Sequence, residues 1–175
     1  PYEFVDWYWA KSNTEHETAL TAWKSIDIEI SGLETFKPSN ARAQCATSGH
    51  AKIWKIIVDR GTPAIVLEHD AIMLHKPDLD IPDNYIVQLG YKVKEPEAYD
   101  HNKAGAPTGL IKIDGHEGAH AYAISVATAQ YFLDQLKLYG IQGAIDNTHF
   151  LKKRKVNANE EKKHFIMDPI CALGW

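Results

Sequence analysis

The chain has 175 residues, 45% of them hydrophobic, and a formal net charge of −4. That length and apolar content suffice for one well-filled core, and a single domain over 1–175 is the simplest organisation. The acidic balance argues against a general nucleic-acid binder, which needs a basic face, and no apolar stretch approaches the roughly 18 residues of a membrane span. Cys45 and Cys171 make no disulfide framework and read as reduced thiols of a cytoplasmic protein.

Tyr2 to Trp9 is aromatic and reads as a first strand. Thr14-Glu15-His16-Glu17 has the form of a capping box, and a helix to about Lys24 should follow with Ala19, Leu20 and Trp23 on one face. Ile26, Ile28 and Ile30 alternate with Asp27 and Glu29, which predicts a half-buried strand. Pro38-Ser39-Asn40 opens a second helix to about Asp59, with Ile53, Trp54, Ile56 and Ile57 as its apolar face. Strands are expected at Ala64–Leu67, Tyr85–Gly90, Leu110–Ile113, Ala121–Ile124 and Phe165–Met167. Ser125 caps a helix from Val126 to about Leu138, and a further helix is expected from Asp146 to about Arg154. Residues 91–108 lack periodicity and read as a long surface loop. Strands and helices alternate over the first half, which predicts an α/β fold with a mainly parallel central sheet flanked by helices.

The most informative segment is 61–71. Ala64, Ile65, Val66 and Leu67 form an unbroken apolar run after Gly61-Thr62-Pro63, as a fully buried strand of a parallel sheet would. Glu68 and Asp70 follow at once. In extended backbone, residues two apart share a face, so both carboxylates would project from the C-terminal end of the strand, where open α/β sheets bind ligands. Paired hard oxygen donors there suit Mg²⁺ or Mn²⁺ carrying a phosphate-containing substrate. His69, one residue out of step, should face away.

His116-Glu117-Gly118-Ala119-His120 matches the zinc-protease string H-E-x-x-H, with Glu160 or Glu161 as a distant third ligand. Its context is poor. Gly115 and Gly118 weaken a helix, and Ala123 and Val126 stand where the extended pattern requires Gly and His. A glycine-rich turn leading into a strand fits better.

Taken in order, these segments resemble glycosyltransferase family 25, the lipopolysaccharide and collagen-type galactosyltransferase group. The residues that carry the likeness are Cys45-Ala46-Thr47-Ser48-Gly49-His50, Ile65-Val66-Leu67-Glu68-His69-Asp70-Ala71, Leu89-Gly90, Gly118-Ala119-His120-Ala121-Tyr122-Ala123-Ile124-Ser125, Ile145-Asp146 and Pro169-Ile170-Cys171-Ala172. The departures are His69 for the middle acid of Glu-Asp-Asp, Gly49 for a serine, and Val5-Asp6-Trp7-Tyr8-Trp9-Ala10-Lys11 for an arginine-bearing first strand.

The resemblance implies a GT-A-like fold. It implies transfer of a hexose, such as galactose, from a UDP-sugar to a glycan or protein hydroxyl with inversion. Glu68 and Asp70 would hold the metal, and with His50 the donor. Asp146 would be the base that deprotonates the acceptor, its plain alternative being an N-cap. His149, His120 and His164 are further candidates for the metal shell. Lys152-Lys153-Arg154-Lys155 is a solvated helix end or a clamp on an anion. Two rival readings are a catalytically inactive glycosyltransferase-like binding module and the zinc metalloprotease. Trp23 and Trp54 are expected in the core, and nothing in the sequence assigns a role to Trp7, Trp9 or Trp175.

Overall fold

The computed structural model describes residues 3–71, 80–83, 85–89, 111–113, 119–141, 143, 145 and 165–167. Its elements are α1 (His16–Lys24), a short 3-10 turn (Leu33–Thr35), α2 (Ala41–Arg60), β1 (Ala64–Leu67), β2 (Ile86–Gln88), β3 (Ile111–Ile113), β4 (Ala121–Ile124), α3 (Val126–Tyr139) and β5 (Phe165–Met167). The fold is mixed α/β.

Local chemistry sets the helix ends. Asn40 caps α2 by accepting from the Ala43 N–H, and Gly61 ends it in the left-handed conformation that glycine adopts without strain. Ser125 caps α3 by accepting from the Thr128 N–H. At the other end of α3, Gly140 has φ +70 and lies so close to the Ser31 carbonyl that a Cβ could not fit. The expected capping box is not formed: α1 starts after Glu15, which accepts from the Lys11 N–H, while Thr14 pairs its hydroxyl with Ser12.

The five strands lie in the order β1-β4-β2-β5-β3. β4 runs antiparallel between β1 and β2, β2 is parallel to β5, and β3 is antiparallel to β5. β1, β2 and β5 therefore point the same way, but the sheet is mixed: of the pairings among the described strands, β2 with β5 alone is parallel. β1 pairs with β4 alone among them, and of its four residues Val66 alone is fully buried. Its continuous apolar run thus reflects packing on two faces at a sheet edge rather than enclosure between parallel neighbours. β2, by contrast, is buried throughout.

One face of the sheet carries Val66, Ile86, Tyr122 and Ile124 against Trp23, Trp54, Ile57, Phe132 and Leu136 of the three helices. Val87, Leu89, Ala121 and Ala123 lie in a smaller cluster with Ile65, Leu67 and Tyr85, as alternation along a strand requires. Trp23 and Trp54 are wholly buried, as expected, and stacking of Trp54 on Phe132 (4.8 Å, 26°) ties α2 to α3.

Two expected strands are absent. Residues 3–10 form no ladder, because their aromatic side chains are used singly. Trp7 reaches α2 through Ser48, and Tyr8 reaches Ser25 just past α1. Around Ile26–Ile30 the chain turns at Asp27, which has φ +63, and buries Ile26 and Ile30 without pairing. The loop expected at 91–108 and the helix expected at Asp146–Arg154 lie outside the described residues.

Candidate functional site

The described candidate residues gather where α2 meets the sheet near the end of β1. Alternation along β1 carries Glu68 to the same face as Val66, and the Glu68 N–H extends the ladder by donating to the His120 carbonyl (2.8 Å). The backbone then turns, with Ala71 N–H donating to the Glu68 carbonyl at 3.0 Å. His69 and Asp70 lie in that turn and are exposed. The period-two argument holds from Val66 to Glu68 but does not extend to Asp70.

Glu68 is held from below by α2. His50 Nε2 lies 3.1 Å from Glu68 Oε1, and His50 Nδ1 lies 2.9 Å from the Tyr122 hydroxyl. That hydroxyl also accepts from Trp54 Nε1 at 3.0 Å. Glu68, as a carboxylate, can only accept, so His50 donates its Nε2 proton to it. Trp54 donates to the Tyr122 oxygen, and the Tyr122 hydroxyl shares its other hydrogen bond with His50 Nδ1. Burial pushes the Tyr122 phenol far above its ordinary value, so it remains protonated at any working pH. The hydrogen bond from His50 holds the Glu68 carboxyl below the usual carboxylate range. Partial burial opposes this, while the imidazoles of His50, His120 and His69 add smaller electrostatic contributions in the same direction.

His50 is buried at the middle of α2 and both its ring nitrogens are engaged. It orients Glu68, a different task from the donor contact expected of it. Glu68 keeps 34% of its side-chain surface accessible, and the bond to His50 engages Oε1 alone. His120 occupies a bend directly before β4, not a helix. His116 and Glu117 of the H-E-x-x-H string, together with Asp146, His149, His164, Glu160, Glu161 and the basic run 152–155, lie outside the described residues. Among the described residues, no three His, Cys, Asp or Glu side chains converge as a ready metal cage. Mg²⁺ and Mn²⁺ do not require one, since one or two carboxylates and substrate phosphates commonly suffice. Glu68 and Asp70 fit that pattern chemically.

Several participants were invisible to sequence reasoning. Tyr122 was placed in its strand, but nothing in the pattern gave its hydroxyl two partners on α2; the available signal was a phenol in an otherwise apolar strand, which needs a partner when buried. Gln88 is 3% exposed and opposes Tyr122 across β2 and β4, yet its Nε2 is buried without a hydrogen-bond partner. Trp7 donates to Ser48 Oγ at 2.8 Å and lies against Gly49, where a Cβ would meet the indole Cδ1 at 3.0 Å. Two departures from the family pattern, Gly49 and the Trp7-bearing first segment, are therefore one packing arrangement.

No family model matches the chain, and neither the curated proteins nor the solved structures include a significant match to it. No helix among the described residues is long and apolar enough to cross a membrane.

Proposed function

We propose that the protein is a GT-A-like hexosyltransferase of the family 25 type. In this reading it moves a hexose such as galactose from a UDP-sugar to a glycan or protein hydroxyl with inversion. The observation that carries the reading is Glu68, an ionised, partly accessible carboxylate fixed by His50 just past the C-terminal end of β1. Three same-direction strands and a carboxylate at the end of one of them suit ligand binding at that edge of the sheet.

Glu68 and Asp70 would hold Mn²⁺ or Mg²⁺, which supplies charge neutralisation for a departing diphosphate. His50 keeps Glu68 ionised and aimed. Trp54 and Tyr122 hold the His50 imidazole in place. Asp146 takes the acceptor proton in this reading, by resemblance alone.

Packing of Trp7 on Gly49 favours a second reading, a binding module of the same fold that holds nucleotide without turnover. Nothing favours the zinc protease, whose His120 is not on a helix.

Calorimetric titration of UDP into the protein tests the site, first with Mn²⁺ and then with EDTA. Binding that needs Mn²⁺ and is lost in Asp70→Ala supports it, with His116→Ala mild. Absence of binding in both conditions, or full activity of Asp70→Ala, overturns it. Mn²⁺-dependent binding without transfer to any acceptor selects the second reading.

A further inference from the structure

Trp9 is 71% exposed, although the chain around it is pinned on both sides. Trp7 donates to Ser48, and the Tyr8 hydroxyl pairs with Ser25 at 2.8 Å. Ala10 is 1% exposed in a cluster with Ala19, Ala22, Ala41 and Cys45. The Lys11 N–H donates to Glu15, and the Lys11 carbonyl accepts from Arg42. A segment fixed at two neighbours on either side, with one large indole left outside, is preorganised to present that ring.

The ring is presented beside the candidate site. Trp9 meets His69 edge-to-face, with centroids 6.4 Å apart and planes at 82°. His69 lies in the turn between Glu68 and Asp70, both accessible. The rim therefore combines a flat apolar aromatic wall with carboxylate acceptors on the adjoining turn. A ligand that uses both needs an apolar face of C–H groups and a ring of hydroxyl donors, which is the chemistry of a pyranose.

We infer that Trp9 and His69 form the stacking wall of a saccharide subsite at the rim of the Glu68 site. The inference deepens the proposed function and rests on it for the sugar's being a transferred hexose. His69, which departs from the family's middle acid, thereby has a role: it braces the indole.

The test follows the tryptophan indole N–H resonances of the full chain by NMR, titrating methyl β-D-galactopyranoside and, separately, UDP with Mn²⁺. The glycoside should shift the Trp9 resonance saturably. Trp9→Ala should weaken the glycoside about fivefold, as loss of about 1 kcal/mol of ring stacking would. Trp9→Phe should restore part of that loss, while Phe4→Ala, at an exposed aromatic residue earlier in the same segment, should not weaken binding. UDP affinity should be the same in all three variants. UDP binding with no glycoside effect on Trp9 overturns the subsite and spares the transferase reading. A Trp9 shift driven by UDP alone also overturns it, by giving the ring to the base. Glycoside binding at Trp9 without UDP binding supports the subsite and removes the transferase reading. Binding of neither ligand overturns both.

Discussion

The Tyr122 hydroxyl stands 2.9 Å from His50 Nδ1, and this contact braces the imidazole whose other nitrogen meets Glu68. A residue of β4 thereby reaches a carboxylate at the end of β1 through a side chain of α2. Tyr122→Phe removes the hydroxyl facing His50 Nδ1 and one partner of Trp54. Because His50 is buried, urea unfolding should show a loss of about 1–3 kcal/mol, the cost of stranding buried polar groups. His50→Ala should additionally release Glu68 and weaken Mn²⁺-dependent UDP binding.

Acid unfolding should report on Glu68. Its folded pKa lies below its ordinary value of 4.5, so on acidification the unfolded chain takes up the proton first. The stabilisation it gives is fully present above pH 4.5 and is lost as pH falls through the lower folded value. Glu68→Gln should therefore have a shallower dependence of stability on pH below 4.5. Equal slopes for the two proteins would show that the His50 bond does not hold the carboxylate in solution.

Gly49 and Trp7 should be energetically coupled. In an open helix, Gly→Ala stabilises by about 1 kcal/mol. At Gly49 the new methyl would press on the indole, so the gain should be smaller or reversed while Trp7 is present. In a Trp7→Ala background Gly49→Ala should recover it. A double-mutant cycle measured by denaturant unfolding reads the difference directly, and strict additivity would count against the packing described.

Gln88→Met tests the orphaned amide. Replacing a buried donor that has no partner by an apolar side chain of similar length relieves its desolvation cost. Thermal unfolding should show the variant about 1 kcal/mol more stable. If the amide serves a ligand, the same variant should bind that ligand less well.

The sequence was most legible where one local signal decided the outcome. Asn40 and Ser125 announced their helices, and the short apolar runs of β1, β2 and β4 appeared where expected. Legibility failed where pairing decided. Ile26–Ile30 alternates like a strand, yet none of the described strands pairs with it and Asp27 turns the chain. Nothing local to Ala64–Leu67 says that its neighbour is antiparallel and comes from Ala121–Ile124. At the site, Glu68 was found by its place after a buried run. The partnership of His50 with Tyr122 depends on a helix crossing a strand distant in sequence, which no spacing rule encodes. Asp70 was assigned a face by a periodicity that ends one residue too early.

The position of β4 has a consequence for how the molecule is made. β1 leaves the ribosome first and pairs, among the described strands, with β4 alone; β2 pairs with β4 and β5, both later in the chain. A nascent chain that has emerged through Gln88 therefore holds two early strands whose mates have not yet emerged. Their backbone groups can be satisfied inside the sheet once residues 121–124 slot between them, a long-range closure of the kind that slows folding. The sheet is completed late, and until Ile124 arrives the apolar edges of β1 and β2 are open to foreign strands.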